Sequence, residues 1–307
     1  MQLIRQHVAV IMAAMFLAVF VSGCDQAAKQ TNSPDSTEGV ASSQQERSTE
    51  RSTERSTESS TESSTESSKG KPSVDLSRTA TYKLLVMAER SLYENDVDAA
   101  IAAIAEARQR KDLSFGFKMD VAKILFGAGK MKESAEVYDE VLSQQPDIKP
   151  QLWQRGLALY YAEQFEKGVD QFDTHQTYNS QDVENSVWHL LCQSRLTSVE
   201  EARKSMIQIE EDSRVPMKQV FDMFAGKGSP EQVIAASGYD EDNIVRNGST
   251  YHGWLYVGLF HEMMGDQKAA NEAMKTALKC KPIIPGLMGF VAEGHLRVRG
   301  DFPSAEE

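Results

Sequence analysis

Residues 251–284 read YHGWLYVGLFHEMMGDQKAANEAMKTALKCKPII, and this stretch predicts two antiparallel helices packed face to face. The small residues Gly258, Ala270 and Ala277 let two helix backbones approach closely. Gly265 before Asp266 permits the turn between them, and Pro282 stops the second helix because proline lacks the N–H that a helix needs.

Weaker copies of the pattern fall in phase upstream. Residues 81–114 carry Leu84, Ala88, Asn95, Asp96, Ala100, Ile104 and Ala107; residues 115–148 carry Ala122, Gly129, Ser134, Tyr138 and Pro146. Residues 149–182 supply Leu152, Gly156, Phe165, Gly168 and Phe172, with His175 where a small residue is expected. Around 185–213, Trp188, Leu191 and Cys192 begin another hairpin whose second helix is expected near 200–211. Residues 214–250 fit poorly and predict a degenerate hairpin: a short helix at 217–225, a turn at 226–229, a helix opened by Pro230, and an acidic loop at 239–242. Residues 286–299 are expected to form a capping helix.

The unit at 251–284, with Trp254, Gly258, Gly265, Asp266, Ala270, Ala277 and Pro282, resembles the 34-residue tetratricopeptide repeat (TPR). The resemblance implies an all-α, right-handed α-solenoid of antiparallel helix hairpins over residues 78–307, whose first helices line a concave groove for a peptide or partner helix. By the family's geometry, that groove is expected to include Tyr93, Lys123, Trp153, Tyr160, Tyr161, His189, Gln193, His252 and Glu262. Tyr82, Leu85, Met119 and Phe126 fall at groove-facing positions too. A chaperone-tail clamp of this family needs Lys and Asn at successive positions that are here Leu85 and Glu89, Met119 and Lys123, Trp153 and Leu157, so that ligand is not expected.

Chemistry-bearing patterns are sparse. His189 and Cys192 are three apart and His252 and His261 nine apart, which is not the spacing of a helical zinc site. Neither a metal nor any other cofactor is expected. Cys192 and Cys280 are expected as small core residues, with a disulfide as the alternative in an exported protein. Residues 127–130 lack the first glycine and the Ser or Thr of a phosphate loop, and Asp240 with Asp242 lacks the later ligands of a calcium loop. No pair of acids stands out as acid and base, so a binding protein is expected rather than an enzyme; an enzyme would have to use His189, Arg195, His252 and His261. A glycan or small-molecule sensor in the groove is the other alternative.

Charge narrows the partner. The chain of 307 residues holds 33 basic and 45 acidic side chains, net -12. Residues 1–77 carry seven of the basic and ten of the acidic ones, which leaves the segment from Arg78 onward at 26 against 35, net -9. No nucleic-acid partner is expected of so acidic a domain.

The N-terminus provides an address. Arg5 precedes 14 uncharged, apolar residues at 8–21. That is too short for a transmembrane helix, which needs about 20, and right for a secretory signal of about 7–15. The run ends in Val21, Ser22, Gly23 and Cys24, which resembles the lipobox of bacterial lipoproteins and implies a signal peptide at 1–23 and acylation of Cys24. Acyl chains contribute about 0.8 kcal/mol per buried methylene, so Cys24 is expected to anchor the chain to a lipid membrane in the cell envelope. Asp25 resembles an inner-membrane retention signal of enterobacterial lipoproteins, a rule that varies among bacteria and leaves inner and outer membrane both open. Residues 24–77 are rich in Ser, Thr and Glu, with tetrads such as Arg47, Ser48, Thr49 and Glu50 repeated to Glu66. Nothing there offsets the entropy cost of ordering, so a disordered tether is expected, with a reach of roughly 40 Å. The implied partner is another envelope protein or peptide. Cys24→Ser is expected to move the protein from the membrane pellet to the soluble fraction on ultracentrifugation; deletion of 47–68 is expected to leave the domain's melting midpoint unchanged.

Overall fold

The computed structural model describes Leu76 and residues 79–110, 113–284 and 286–303. The expected signal segment, Cys24 and, apart from Leu76, the expected tether lie outside the described residues. Three helix pairs come first, their second helices starting 34 residues apart: α1 (Thr81–Tyr93) with α2 (Val97–Arg108), α3 (Phe115–Gly127) with α4 (Met131–Gln144), and α5 (Trp153–Tyr161) with α6 (Phe165–Gln176). Then come α7 (Val183–Leu196), α8 (Val199–Lys204), α9 (Met217–Phe224), α10 (Pro230–Ser237), α11 (Gly248–Met263), α12 (Gln267–Cys280) and α13 (Val291–Val298). No strand occurs among the described residues. This is an α-solenoid of the tetratricopeptide kind.

The repeat is written into the backbone as well as the side chains. Asn95, Gly129, Glu163 and Gly265 occupy the same place in their units, and each takes a positive φ, between 56° and 84°. After each, the next residue's N–H closes the same wide turn: Asp96 to the Ser91 carbonyl, Lys130 to Leu125, Gln164 to Leu159 and Asp266 to His261, at 2.7–2.9 Å. That closure satisfies the carbonyls a helix end leaves open and aims the chain back along the helix it has just finished. Asp96 and Asp266 then cap the following helix, accepting from the N–H of Ala99 and Ala269.

Close approach follows where the side chains are smallest. A Cβ on Gly156 would meet Phe172 Cε1 at 2.7 Å; one on Gly258 would meet the Ala270 carbonyl oxygen at 3.1 Å; one on Gly168 would meet Cys192 Sγ at 2.6 Å. Ala88 and Ala122 hold the equivalent place in the first two units and are fully buried. His175, too large for its position, is accommodated because the third unit opens with a 3-10 helix, Pro146–Gln151, whose Pro150 carbonyl lies 2.7 Å from His175 Nδ1.

Two expectations change. The helix placed near 200–211 ends at Lys204. Beyond it, Ile207 and Ile209 are β-branched and favour extended backbone. Their neighbours find partners outside a helix: Ser186 Oγ donates to the Ile207 carbonyl, and the N–H groups of Glu210 and Glu211 donate to Gln181 Oε1. The poorly fitting stretch nevertheless keeps the register, since α9 starts 34 residues after α7 and α10 is opened by Pro230 behind a Ser229–Gln232 capping box.

The larger change is at the C-terminus. The segment at 286–299 does not simply cap the last pair; a 3-10 helix, Leu287–Phe290, and α13 fold over onto α3 of the second unit. Gly127 and Gly294 make room for this. A Cβ on Gly127 would lie 2.8 Å from Phe290 Cδ1, and one on Gly294 would lie 2.9 Å from Met131 Cε and 3.0 Å from the Phe126 carbonyl oxygen. Arg297 donates to the Gly127 carbonyl at 2.6 Å and to Asn95 Oδ1 at 2.9 Å. The solenoid therefore closes on its own beginning.

Overpacking a tight helix contact costs about 1–3 kcal/mol. Gly156→Val is expected to lower stability by that amount in urea unfolding, and Phe172→Leu in the same chain to recover part of it by making space.

Candidate functional site

Closure decides the fate of the residues expected in the groove. Tyr160, Tyr161, His189 and Glu262 are buried. They are packed inside the stack, where α7, α11 and the C-terminal segment meet, and of the four only Tyr160 and Glu262 touch the opening beside Arg195 and Arg299. Tyr160 and Tyr161 stack edge-on against each other at 5.1 Å, Tyr160 against Trp188 at 5.5 Å, and Tyr161 against Phe126 at 5.6 Å and His295 at 5.9 Å. His189 Nε2 lies 3.1 Å from Asp173 Oδ1, and burial holds its pKa below the usual imidazole range. Trp153 is half-buried against the core, Gln193 is half-buried, and Lys123 pairs with Glu89 and Asp120. His252 Nδ1 lies 2.7 Å from the Gly248 carbonyl of its own helix. Among the nine, Tyr93 alone is widely exposed, at 56%. Cys192 and Cys280 are free, buried thiols.

At the centre stands Glu262. Its carboxylate accepts from the Tyr160 hydroxyl at 3.1 Å and pairs with Arg195 at 3.4 Å and with Arg299 in direct contact, while His295 Nδ1 lies 3.7 Å away and 3.1 Å from Tyr161 Oη. Six side chains from four segments of the chain meet there. Burial drives the His295 pKa down to about 4, with Arg299 and Arg195 pushing the same way against Glu262, so the ring is neutral at ordinary pH. Arg299 and His295 went unnoticed in the sequence. The available signal was Glu262 itself, a carboxylate standing in an apolar run between Phe260 and Met263. A second knot joins Arg214 to Asp182, Glu184 and Asp212 at 2.6–2.7 Å, with the Tyr256 hydroxyl donating to Glu184.

Among the described residues, an opening of about 340 Å³ lies between Val183 and the 209–222 stretch, and two others lie where distant units meet. One, about 420 Å³, is walled by Tyr160, Phe165, Arg195 and Arg299 beside the Glu262 cluster. The other, about 390 Å³, lies on the seam between the end of α1 and the last units, with Tyr93, Arg246, Lys281, Ile283 and Phe302 around it. Among the described residues, no three His, Cys, Asp or Glu side chains are gathered as a metal site would require.

This closed stack of helical hairpins is similar to several solved structures. MamA from Desulfovibrio magneticus matches with 12% identity over 65% of this chain and 94% of its own, TM-score 0.36. A tetratricopeptide repeat protein from Parabacteroides merdae matches with 15% identity over 72% and 87%, TM-score 0.38, and a thermophilic TPR protein from Thermus thermophilus with 13% over 72% and 98%, TM-score 0.36. No protein-family model and no curated protein matches the sequence.

The Glu262 cluster carries two expectations. Glu262→Ala leaves two arginines facing each other without their carboxylate; breaking such a pair costs about 3 kcal/mol once the partly open position of the arginines is allowed for. Chemical unfolding of the variant at pH 7 checks this. His295 is protonated below about pH 6.5 when unfolded but stays neutral to about pH 4 when folded. The unfolded chain thus binds the extra proton, and the stability present above pH 6.5 is lost as pH falls toward 4. His189 adds in the same direction. Between pH 6.5 and 5, before most carboxylates protonate, the unfolding free energy is expected to fall by roughly 2 kcal/mol, and less in His295→Gln.

Proposed function

We propose that the chain is a protein-interaction scaffold held in a bacterial cell envelope by acylated Cys24, its helical domain standing off the membrane on the 24–77 tether. The carrying observation is the solenoid of helical hairpins: its buried charges are largely paired with one another, as at Glu262 and Arg214, while large apolar side chains stay exposed on its surface. Tyr93 and Ile283, which share a cleft, and Val245 and Ile244 are all exposed, and exposed large apolar side chains mark contact surfaces more often than catalytic ones. The address rests on the apolar run at 8–21 and on the residues around Cys24. Adaptor roles in cell-wall or outer-membrane protein assembly fit this arrangement.

A second reading has one observation in its favour. The opening beside Arg195 and Arg299 has the size of a small-ligand pocket, so a sensor of an anionic glycan or metabolite would use it. A melting midpoint that rises with the concentration of anionic cell-wall fragments would favour the sensor over the scaffold.

The direct test places a photoreactive amino acid at Tyr93 in the lipidated protein and irradiates intact envelopes, with Tyr178, equally exposed, as the comparison position. A discrete protein adduct from Tyr93 and none from Tyr178 is expected. An absence of adducts from Tyr93, Tyr178 and further surface positions would overturn the scaffold.

A further inference from the structure

The seam opening has a chemistry of its own. The Asn247 N–H donates to the Cys280 carbonyl at 3.1 Å, which sets the loop before α11 beside the loop after α12. Arg246 and Ile283 consequently face one cleft, closed on the other side by Leu92 and Tyr93 of α1. Its lining is largely apolar, with Leu92, Leu278 and Phe302 contributing, and Ile283 stands 95% exposed at its edge.

Its charge runs against that of the domain. Lys281 is paired with Glu293 and lies over the rings of Tyr93 and Phe290 at 5.4 and 5.2 Å. Arg297, behind Phe302, is held by neutral partners, the Gly127 carbonyl and the Asn95 amide oxygen, with its guanidinium 4.0 Å from the Phe302 ring centroid. Arg246 has no hydrogen bond or ion pair among the described residues. Two cations, Arg246 and Lys281, thus line the cleft against one carboxylate, Glu293, which Lys281 already answers, so that Arg246 is left to meet an outside charge on a domain that is net -9. The acidic residues closest in sequence to Arg246 are Asp240, Glu241 and Asp242, where the Asp242 N–H donates to Asp240 Oδ1 in a local turn.

We infer that the seam cleft binds an extended peptide segment of a protein partner in which large apolar residues alternate with carboxylates. An apolar side chain enters between Leu92, Leu278 and Phe302, and a carboxylate meets Arg246. The concave, apolar lining suits a side chain better than a bilayer surface, and the acidity of the remaining domain disfavours an anionic membrane. The apolar lining equally disfavours a free phosphate. This inference rests on the scaffold reading and gives its partner a chemistry.

The test uses the full chain in detergent and three fluorescein-labelled octapeptides: alternating leucine and glutamate, alternating leucine and lysine, and all glutamate. Fluorescence anisotropy is expected to show saturable binding of the leucine–glutamate probe, with the other two weaker by about tenfold or more. Arg246→Glu is expected to abolish that preference and Ile283→Ser to weaken binding several-fold, while Lys204→Glu, on an exposed surface pair, leaves it unchanged. Should Arg246→Glu fail to fold, Arg246→Gln and the salt dependence of binding serve instead. Equal binding of the leucine–lysine probe, indifference to Arg246, or binding only to phosphatidylglycerol vesicles would overturn the inference. Competition separates it from the scaffold reading. A Tyr93 adduct formed in envelopes and insensitive to excess leucine–glutamate probe would sink the acidic peptide and leave the scaffold standing, whereas no adduct anywhere would remove both.

Discussion

A carboxylate taken out of water is costly unless its charge is answered, and Glu262 is answered from three directions. Arg195 comes from the end of α7, Arg299 from the residue after α13, and the Tyr160 hydroxyl from α5. Of these groups Arg299 belongs to the C-terminal segment, and it loses this carboxylate in any arrangement that leaves the segment detached. A buried pair of this kind adds little net free energy over an apolar replacement, but it penalises every packing in which the partners are separated. The cluster therefore acts on register: it selects the one closure of the solenoid in which the last unit reaches the second and third. Phe290 over Gly127 and Arg297 on the Gly127 carbonyl lie along the same contact and supply the apolar burial that closure gains.

Features of the fold that depend on neighbours in sequence were legible, and those that depend on distant ones were not. A helix pair is shaped by its own turn and its own small residues, so Gly258, Gly265, Asn95 and Gly129 each announced the geometry found around them. Glu163 takes the same left-handed turn without glycine, and there the position within the repeat was informative where the residue type was not. Closure joins residues such as Tyr161 and His295, 134 apart, and Asn95 and Arg297, 202 apart. No local pattern encodes that. For the same reason burial could not be foreseen: Tyr160, Tyr161 and Glu262 hold the positions a groove would use, and they are buried in the stack beside its own C-terminal segment. Tyr93 escaped because it sits at the edge of the contact, where Phe290 covers one side of its ring at 5.6 Å and the other side remains open.

A binding surface built at a seam differs from one built in a groove. In an open solenoid the ligand runs along many equivalent helices, and each unit contributes a little. Here the seam cleft and the opening beside Glu262 are formed where units far apart in sequence come together, so their shape depends on closure. Arg246, Lys281 and Tyr93 belong to different units and share a cleft only because the first and last hairpins touch. Variants of the Glu262 cluster should for that reason alter the shape of the seam cleft at a distance, without any change in the residues that line it.

Repeat proteins usually change size by gaining or losing a unit, since each unit needs only its two neighbours. A stack whose last helix is bolted to its second unit has given up that freedom. An extra 34 residues inserted between α8 and α11 would carry Glu262 out of reach of Tyr160 and Arg195, and Arg297 out of reach of the Gly127 carbonyl, and the loss would fall on both ends together. The poorly matching stretch around α9 and α10 keeps its length while its sequence has drifted from the repeat, as a spacer must in a closed circle of fixed circumference.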